Sequence, residues 1–362
     1  MIILIILGVV AIFSLLVIVH EFGHFSAARR EGVTVEEFGI GFPPKLGGRR
    51  FKKYGKTVFS INALPIGGFV RLKGEDGSEK GPDSFAVQKF WPKTRILMAG
   101  VTVNFIIAYV IFTFLLMIGM PPIGQTLPSF GPIQPKVMGQ GELTIFSVTK
   151  DSAASKAGLV QGDTLISINN TGLRNNTELR DYTRAHAGEQ VIIIAKHNGT
   201  QVEKVAILGT NQSVGILGVS AEQLQLSGYS WWAAPIAALV LMAQFVMATL
   251  AAFGNLIVGL FTRHTVSDQV SGPIGIVSIF SQIVNFGPRF VLLFVASISL
   301  SLAVINALPL PALDGGREFV LILKKLGVKI TPERENIFHL MGFVALIGLM
   351  IIISISDIAR MR

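Results

Sequence analysis

The chain has 362 residues and no cysteine; 51% of its residues are hydrophobic, 15% are charged, and the mean hydropathy is +0.60. A soluble domain carries about 25% charged residues, so this composition points to the bilayer. Without cysteine, disulfides and thiolate metal ligands are excluded, which leaves His, Asp and Glu to hold any transition metal. The net charge of +9 does not indicate a nucleic-acid surface. Residues 29–95 hold 14 Lys/Arg against 7 Asp/Glu, whereas residues 136–222 hold 8 of each. The excess sits in one loop between apolar runs, as in cytoplasmic loops of membrane proteins, and no nucleic-acid partner is expected.

A membrane span needs about 20 helical residues. Residues 1–30 supply the first, an apolar run from Met1 to Val19 that ends in His20-Glu21-Phe22-Gly23-His24. It lacks a basic leader, and Arg29-Arg30 follow it, so it reads as an uncleaved span with its N-terminus outside. Residues 31–95 are then cytoplasmic, and 96–120 form the second span. Pro121-Pro122 to Pro135 is a linker. Residues 126–222 form a water-soluble insert, extracytoplasmic by topology. Its strands are expected at 144–148, 164–168 and 191–194, with turns at 169–172 and 197–199 and a helix at 177–185.

The apolar stretch at 231–261 is long enough to cross. If it did, residues 317–334, with five Lys/Arg, would fall outside. Residues 231–285 are therefore expected as amphipathic helices at the outer leaflet, with Trp231-Trp232 at the interface. Residues 288–316 and 337–357 complete the set. The expected fold class is a polytopic α-helical membrane protein with four transmembrane helices and an inserted β-rich domain.

His20 and His24 lie four residues apart, so on a helix they share one face, and both imidazoles can reach one metal ion. Glu21 beside them can act as general base toward the water such an ion activates. Ionisable groups at the end of an unbroken apolar run are costly and functional by default. A catalytic site of this type needs a third ligand. Glu31, Glu36 and Glu37 qualify on spacing alone. Asp314 is the stronger candidate: it closes Asn306-Ala-Leu-Pro-Leu-Pro-Ala-Leu-Asp-Gly-Gly316, where prolines interrupt a helix at the same side of the membrane.

Two resemblances follow from these residues. Asp151-Ser-Ala-Ala-Ser-Lys-Ala-Gly-Leu159 followed by Gly162-Asp163-Thr-Leu-Ile-Ser-Ile-Asn169 resembles a PDZ domain, a module that binds extended chains beside a strand edge. The HExxH of the first span together with Asn-x-x-Pro-x-Pro-x-x-Asp-Gly-Gly resembles the site-2 protease family. With its PDZ insert the chain is similar to RseP-type enzymes, which cut transmembrane anti-sigma factors or remnant signal peptides. The likeness extends to 38–42, 65–71 and Ser271-Gly-Pro-Ile-Gly275.

That resemblance implies Zn²⁺ held by His20, His24 and Asp314, with Glu21 as general base. It also implies that Asn306 contacts substrate backbone. Gly67, Gly68 and Phe69 would belong to a membrane-reentrant β-hairpin that pairs with unwound substrate. The implied partners are transmembrane proteins or peptides, in a setting of membrane lipid. Gly100 and Asn104 match the family pattern of the second span, although its usual proline is missing, and there is room for only one PDZ domain. A non-proteolytic PDZ scaffold and a zinc transporter are the alternative readings. Both would tolerate loss of Glu21.

Overall fold

The structure is a computed structural model that describes all residues except 1, 52–53, 76–78, 80, 123–125, 139–140, 198, 211–215, 263–269 and 361–362, and except the side chains of residues 66 and 261. The chain forms two compact units, one of residues 1–110, 242–278 and 295–362, the other of residues 111–241 and 279–294.

The first unit begins with α1 (Ile2–Arg30). A helix apolar all round suits lipid rather than a half-solvated surface. Arg29 and Arg30 in its last turn complement the helix dipole. Gly32, at φ +77°, then turns the chain out, with Val33 N–H donating to Ala28 O at 2.9 Å. Two long strands follow, β1 (Val35–Arg50) and β2 (Val58–Leu72). Each pairs along two stretches of the other, so four segments lie side by side in the order 68–72, 35–40, 58–61, 45–50. The bends fall near Pro43-Pro44 and Pro65, where a proline lacks the N–H a ladder needs. This sheet packs on α1 through Phe25, Val33, Val35, Phe38 and Leu72, joined by Ile96 of α2 (Phe90–Leu97). Next comes α3 (Ala99–Ile118).

The second unit contains the insert. Its elements are β3 (Lys136–Val137), β4 (Glu142–Val148), α4 (Ala153–Lys156), β5 (Thr164–Ile168), β6 (Thr171–Gly172), α5 (Asn176–Ala185), β7 (Gln190–His197), β8 (Thr200–Ile207), β9 (Val219–Leu224) and β10 (Ser227–Gly228). The sheet order is β8-β7-β5-β4-β9, with β6 paired to β5 and a separate β3–β10 pair. Alternating inward residues build its core, among them Ile145, Leu165, Ile168, Val191 and Ile193. Asn169 and Asn170 adopt positive φ (44° and 66°), the geometry of a tight hairpin between β5 and β6. Asn175 caps α5 by accepting Glu178 N–H at 2.9 Å, and Glu178 in turn accepts Arg174 N–H at 2.8 Å.

The remaining helices are α6 (Ala234–Thr262), α7 (Pro273–Ile283), α8 (Pro288–Ala307), α9 (Asp314–Lys325) and α10 (Pro332–Arg360). Among the described residues, five helices are long and apolar enough to cross a membrane: α1, α3, α6, α8 and α10. That is one more than the four expected spans. The region 231–285 differs from the amphipathic set expected there: α6 is a single apolar helix of 29 residues, about 43 Å long at 1.5 Å per residue, and only the shorter α7 follows it. The expected span 288–316 also divides. α8 ends at Ala307, and α9 is a separate helix that buries Gly315, Gly316, Glu318 and Val320.

Candidate metal centre

The centre lies within the first unit, where α1, α3 and α9 converge. His20 and His24 are buried one turn apart on α1, their ring centroids 4.8 Å apart. Asp314 reaches them from the first turn of α9. Pro309 and Pro311 cannot donate the N–H groups a continuing helix would need, so the chain breaks over 308–313 and restarts at Asp314. The three donor atoms are mutually close. His20 Nε2 and Asp314 Oδ2 are 3.0 Å apart, His24 Nε2 and Asp314 Oδ2 3.3 Å, and the two Nε2 atoms 3.2 Å. Among the described residues this is the one group of His, Asp and Glu side chains that could hold a metal ion.

The residues fit such an ion. Donors about 2.0–2.1 Å from a tetrahedral centre stand about 3.3 Å from one another, close to the observed separations. His24 Nδ1 is 2.8 Å from Ile96 O, a pure acceptor, so Nδ1 carries the proton and the Nε2 lone pair faces the cluster. The Asn104 carboxamide lies 3.4 Å from His20 Nδ1, and its buried Oδ1 has no other partner among the described residues. The atom facing Nδ1 is the amide nitrogen Nδ2; with the carboxamide flipped, Oδ1 would accept Nδ1–H and give His20 the same tautomer. Gly100 leaves the centre open. A Cβ there would sit 2.5 Å from His24 Nε2 and 2.6 Å from His20 Nε2, in the space an ion shared by both nitrogens would need. Gly23 allows this approach of helices, since a Cβ on it would lie 2.7 Å from Ala99 O.

Glu21 stands beside this centre, next to His20 on α1, with the Val70 backbone near its carboxylate. Segment 67–72 forms an outer edge of the sheet. Gly67 N–H donates to Ser14 Oγ at 3.3 Å, Ser14 Oγ donates to Pro65 O at 3.0 Å, and a Cβ on Gly68 would lie 3.5 Å from Ile18 and 3.9 Å from Glu21 Cγ. Gly67 and Gly68 are thus brought to the face of α1 that carries Glu21, while the Phe69 ring packs over Gly39. Asn306 is half-buried in the last turn of α8, and its amide makes no hydrogen bond to any described residue. Ser299 of α8 donates to Asn104 O at 2.8 Å, and Thr94 of α2 donates to Glu318 of α9 at 2.9 Å.

The carboxylates suggested by spacing alone are engaged elsewhere. Glu31 pairs with Arg95 at 2.7 Å, Glu36 lies 3.9 Å from Arg71, and Glu37 pairs with Arg71 and, at 3.1 Å, with Lys45. Several supporting contacts were not among the expected site residues: the Ile96 carbonyl, the hydrogen bond from Ala312 N–H to His339 Nδ1 at 3.0 Å, and the Arg317–Glu75 ion pair. A backbone carbonyl leaves no mark in a sequence. His339 is visible only as a lone histidine near the start of the last apolar run.

Two histidines and a carboxylate around one point, a glutamate beside them and apolar helices on the same chain define a membrane-embedded metallopeptidase. The profile of peptidase family M50 matches residues 8–349, and the chain belongs to that family. It is 30% identical over 354 residues to a provisionally named zinc metalloprotease of Clostridium acetobutylicum, covering 96% of this chain and 95% of the relative. It is 28% identical over 444 residues to the zinc metalloprotease RasP of Bacillus licheniformis, covering 98% and 99% respectively. A solved PDZ domain of an SdrC-like protein from Listeria monocytogenes covers 24% of this chain and 92% of its own at 25% identity, with a TM-score of 0.21.

Proposed function

We propose that this protein is a zinc-dependent intramembrane endopeptidase that cuts other proteins' transmembrane segments in regulated intramembrane proteolysis. In this reading His20, His24 and Asp314 hold the ion and Glu21 is the general base. The observation that carries it is the set of three donor atoms 3.0–3.3 Å apart beside Gly100. A zinc ion bound there would supply Lewis-acid activation of water and of the scissile carbonyl. Glu21 takes the proton from the attacking water and passes it to the leaving amine. His24, its proton fixed on Nδ1 by the Ile96 carbonyl, would hold the ion through Nε2, together with His20 and Asp314.

A peptide bond in a helix is shielded by its own hydrogen bonds, so the substrate must unwind at the point of cleavage. The edge 67–72 beside Glu21 offers backbone groups that replace the lost ones by strand addition, and the unpaired amide of Asn306 adds a further contact. Among the described residues neither a scaffold nor a transport path accounts for a glutamate held against a sheet edge at a metal centre.

Four crossings agree with this centre. Gly100, at the start of α3, lies against His20 and His24, so α1 ends and α3 begins at one membrane face. Asp314, just beyond α8, meets the same histidines, so α8 returns the chain to that face. Between α3 and α8 the chain then makes no net crossing. α7, with 11 residues or about 17 Å, is too short to offset a crossing by α6 across a core of about 30 Å. In this reading the metal centre faces the cytoplasm and the PDZ-like insert lies outside the plasma membrane, a sidedness that the basic excess of 31–95 supports. There the insert would act as a filter that admits substrates already trimmed of their outer domain.

The direct test is removal and return of metal. Purified protein in detergent should contain about one zinc per chain and cut a synthetic transmembrane peptide. Chelation should abolish cleavage and added zinc restore it; cleavage that persists in zinc-free protein would refute the assignment.

A further inference from the structure

We propose that His339 of α10 is a positioning residue for the metal centre, holding Ala312 so that Asp314 is aimed at the two histidines. The proposal rests on the reading of Asp314 as a ligand. Residues 308–313 join α8 to α9 without regular structure of their own, so the direction in which Asp314 points depends on what fixes that loop. Within the loop Ala312 takes φ +71°, a left-handed conformation that a residue with a Cβ rarely adopts unless its surroundings impose it.

The partner imposing it is on the last helix. Ala312 N–H donates to His339 Nδ1 at 3.0 Å. An Nδ1 that accepts leaves the ring proton on Nε2, and that atom is buried with no partner among the described residues. The single paired atom of this imidazole is therefore the one that holds Ala312. One turn further along α10, Gly342 lies against the neighbouring residue: a Cβ on it would come within 2.8 Å of the Pro311 carbonyl carbon and oxygen. His339 and Gly342, three apart on one face, grip Pro311-Ala312 between them. From Ala312, only extended Leu313 separates the gripped residue from Asp314, the first residue of α9. Gly315 and Gly316 pack against the backbone of Ala307, Leu308 and Leu310, which leaves the segment no slack to re-aim the carboxylate.

His339 touches no donor atom of the centre, so it acts only through the loop. The chemistry asked of it is an acceptor one bond beyond Cγ. Asparagine offers one in the same place, and leucine offers similar bulk with none. The experiment compares wild type, His339→Asn, His339→Leu, His339→Leu with Ala312→Gly, and Asp314→Ala in detergent. It measures zinc affinity by competition with a chromogenic chelator, alongside kcat and KM. His339→Leu should bind zinc about 10–100-fold more weakly, with kcat reduced and KM little changed, the usual effect of losing an outer-shell support. His339→Asn should stay within about threefold of wild type. Ala312→Gly should recover part of the loss, because glycine adopts the left-handed conformation without strain. Wild-type zinc affinity in His339→Leu, or equal losses in the Leu and Asn variants, would overturn the proposal. Unchanged zinc affinity in Asp314→Ala would instead remove the ligand assignment and this proposal together.

Discussion

Replacing Gly100 by alanine adds one methyl group at the most crowded point of the centre. The new Cβ would lie 2.5 Å from His24 Nε2 and 2.6 Å from His20 Nε2, where ordinary contact begins at 3.4 Å. Relief requires a displacement of about 0.8–0.9 Å, shared between the start of α3 and the two rings. The rings have little room to move, because His24 Nδ1 is held by Ile96 O and both helices are packed at Gly23. Overpacking of this kind costs about 1–3 kcal/mol of stability. A misplacement of about 1 Å among reacting groups costs about 100-fold in rate, or about 2.7 kcal/mol of transition-state stabilisation. Gly100→Ala should therefore cut the synthetic peptide at least about 100-fold more slowly, with zinc content well below one per chain and a lowered Tm. Full zinc content with a rate within about threefold of wild type would refute the idea that Gly100 keeps the metal's place open.

Other consequences are open to simpler measurements. Asn104→Leu keeps the bulk near His20 but removes the group facing Nδ1, and should weaken zinc binding about 10–100-fold; unchanged affinity would show that the ring needs no such partner. Between β2 and α2, the hydrogen bond from Lys73, at 2.7 Å, and that from Thr34, at 2.8 Å, hold Asp83 down at about 2, below its ordinary 3.8. Because the folded-state value is depressed, Asp83 stabilises the fold above about pH 4 and loses that contribution as pH falls toward 2. The Tm of wild type should fall more steeply over that window than the Tm of Asp83→Asn, and parallel curves would contradict the pairing. Deleting residues 126–222 should raise cleavage of untrimmed substrates relative to trimmed ones, and unchanged selectivity would count against the filter.

Some of this arrangement is visible in the residues themselves. His20, Glu21 and His24 stand out because helical spacing and an apolar run make their clustering costly without a purpose. The proximity of Asp314 is harder to see, since it is a contact across 294 positions. Pro309 and Pro311 betray only that a helix must stop there, and the nearest carboxylate does the rest. Where pattern misleads, the physics is local. The region 231–285 reads as a set of amphipathic helices, yet Gly254 of α6 has open space around it and no turn to make. In apolar surroundings a backbone keeps its hydrogen bonds by staying helical, so α6 runs on through that glycine. The hairpin is expected around Gly67-Gly68, but its folding into four adjacent segments depends on both strands bending and re-pairing, which alternation alone does not encode. Nor does anything around His339 distinguish a residue that holds a loop from one that merely fills space.

Glu21 is the residue on which the proposed mechanism depends. Purified wild type and Glu21→Gln should bind zinc with equal stoichiometry, because the proposed ligands are His20, His24 and Asp314. With zinc bound, the variant should cut the synthetic transmembrane peptide about 100–10,000-fold more slowly, the usual range for loss of a general base. Cleavage by zinc-loaded Glu21→Gln at a rate close to wild type would contradict the mechanism, however well the metal is held.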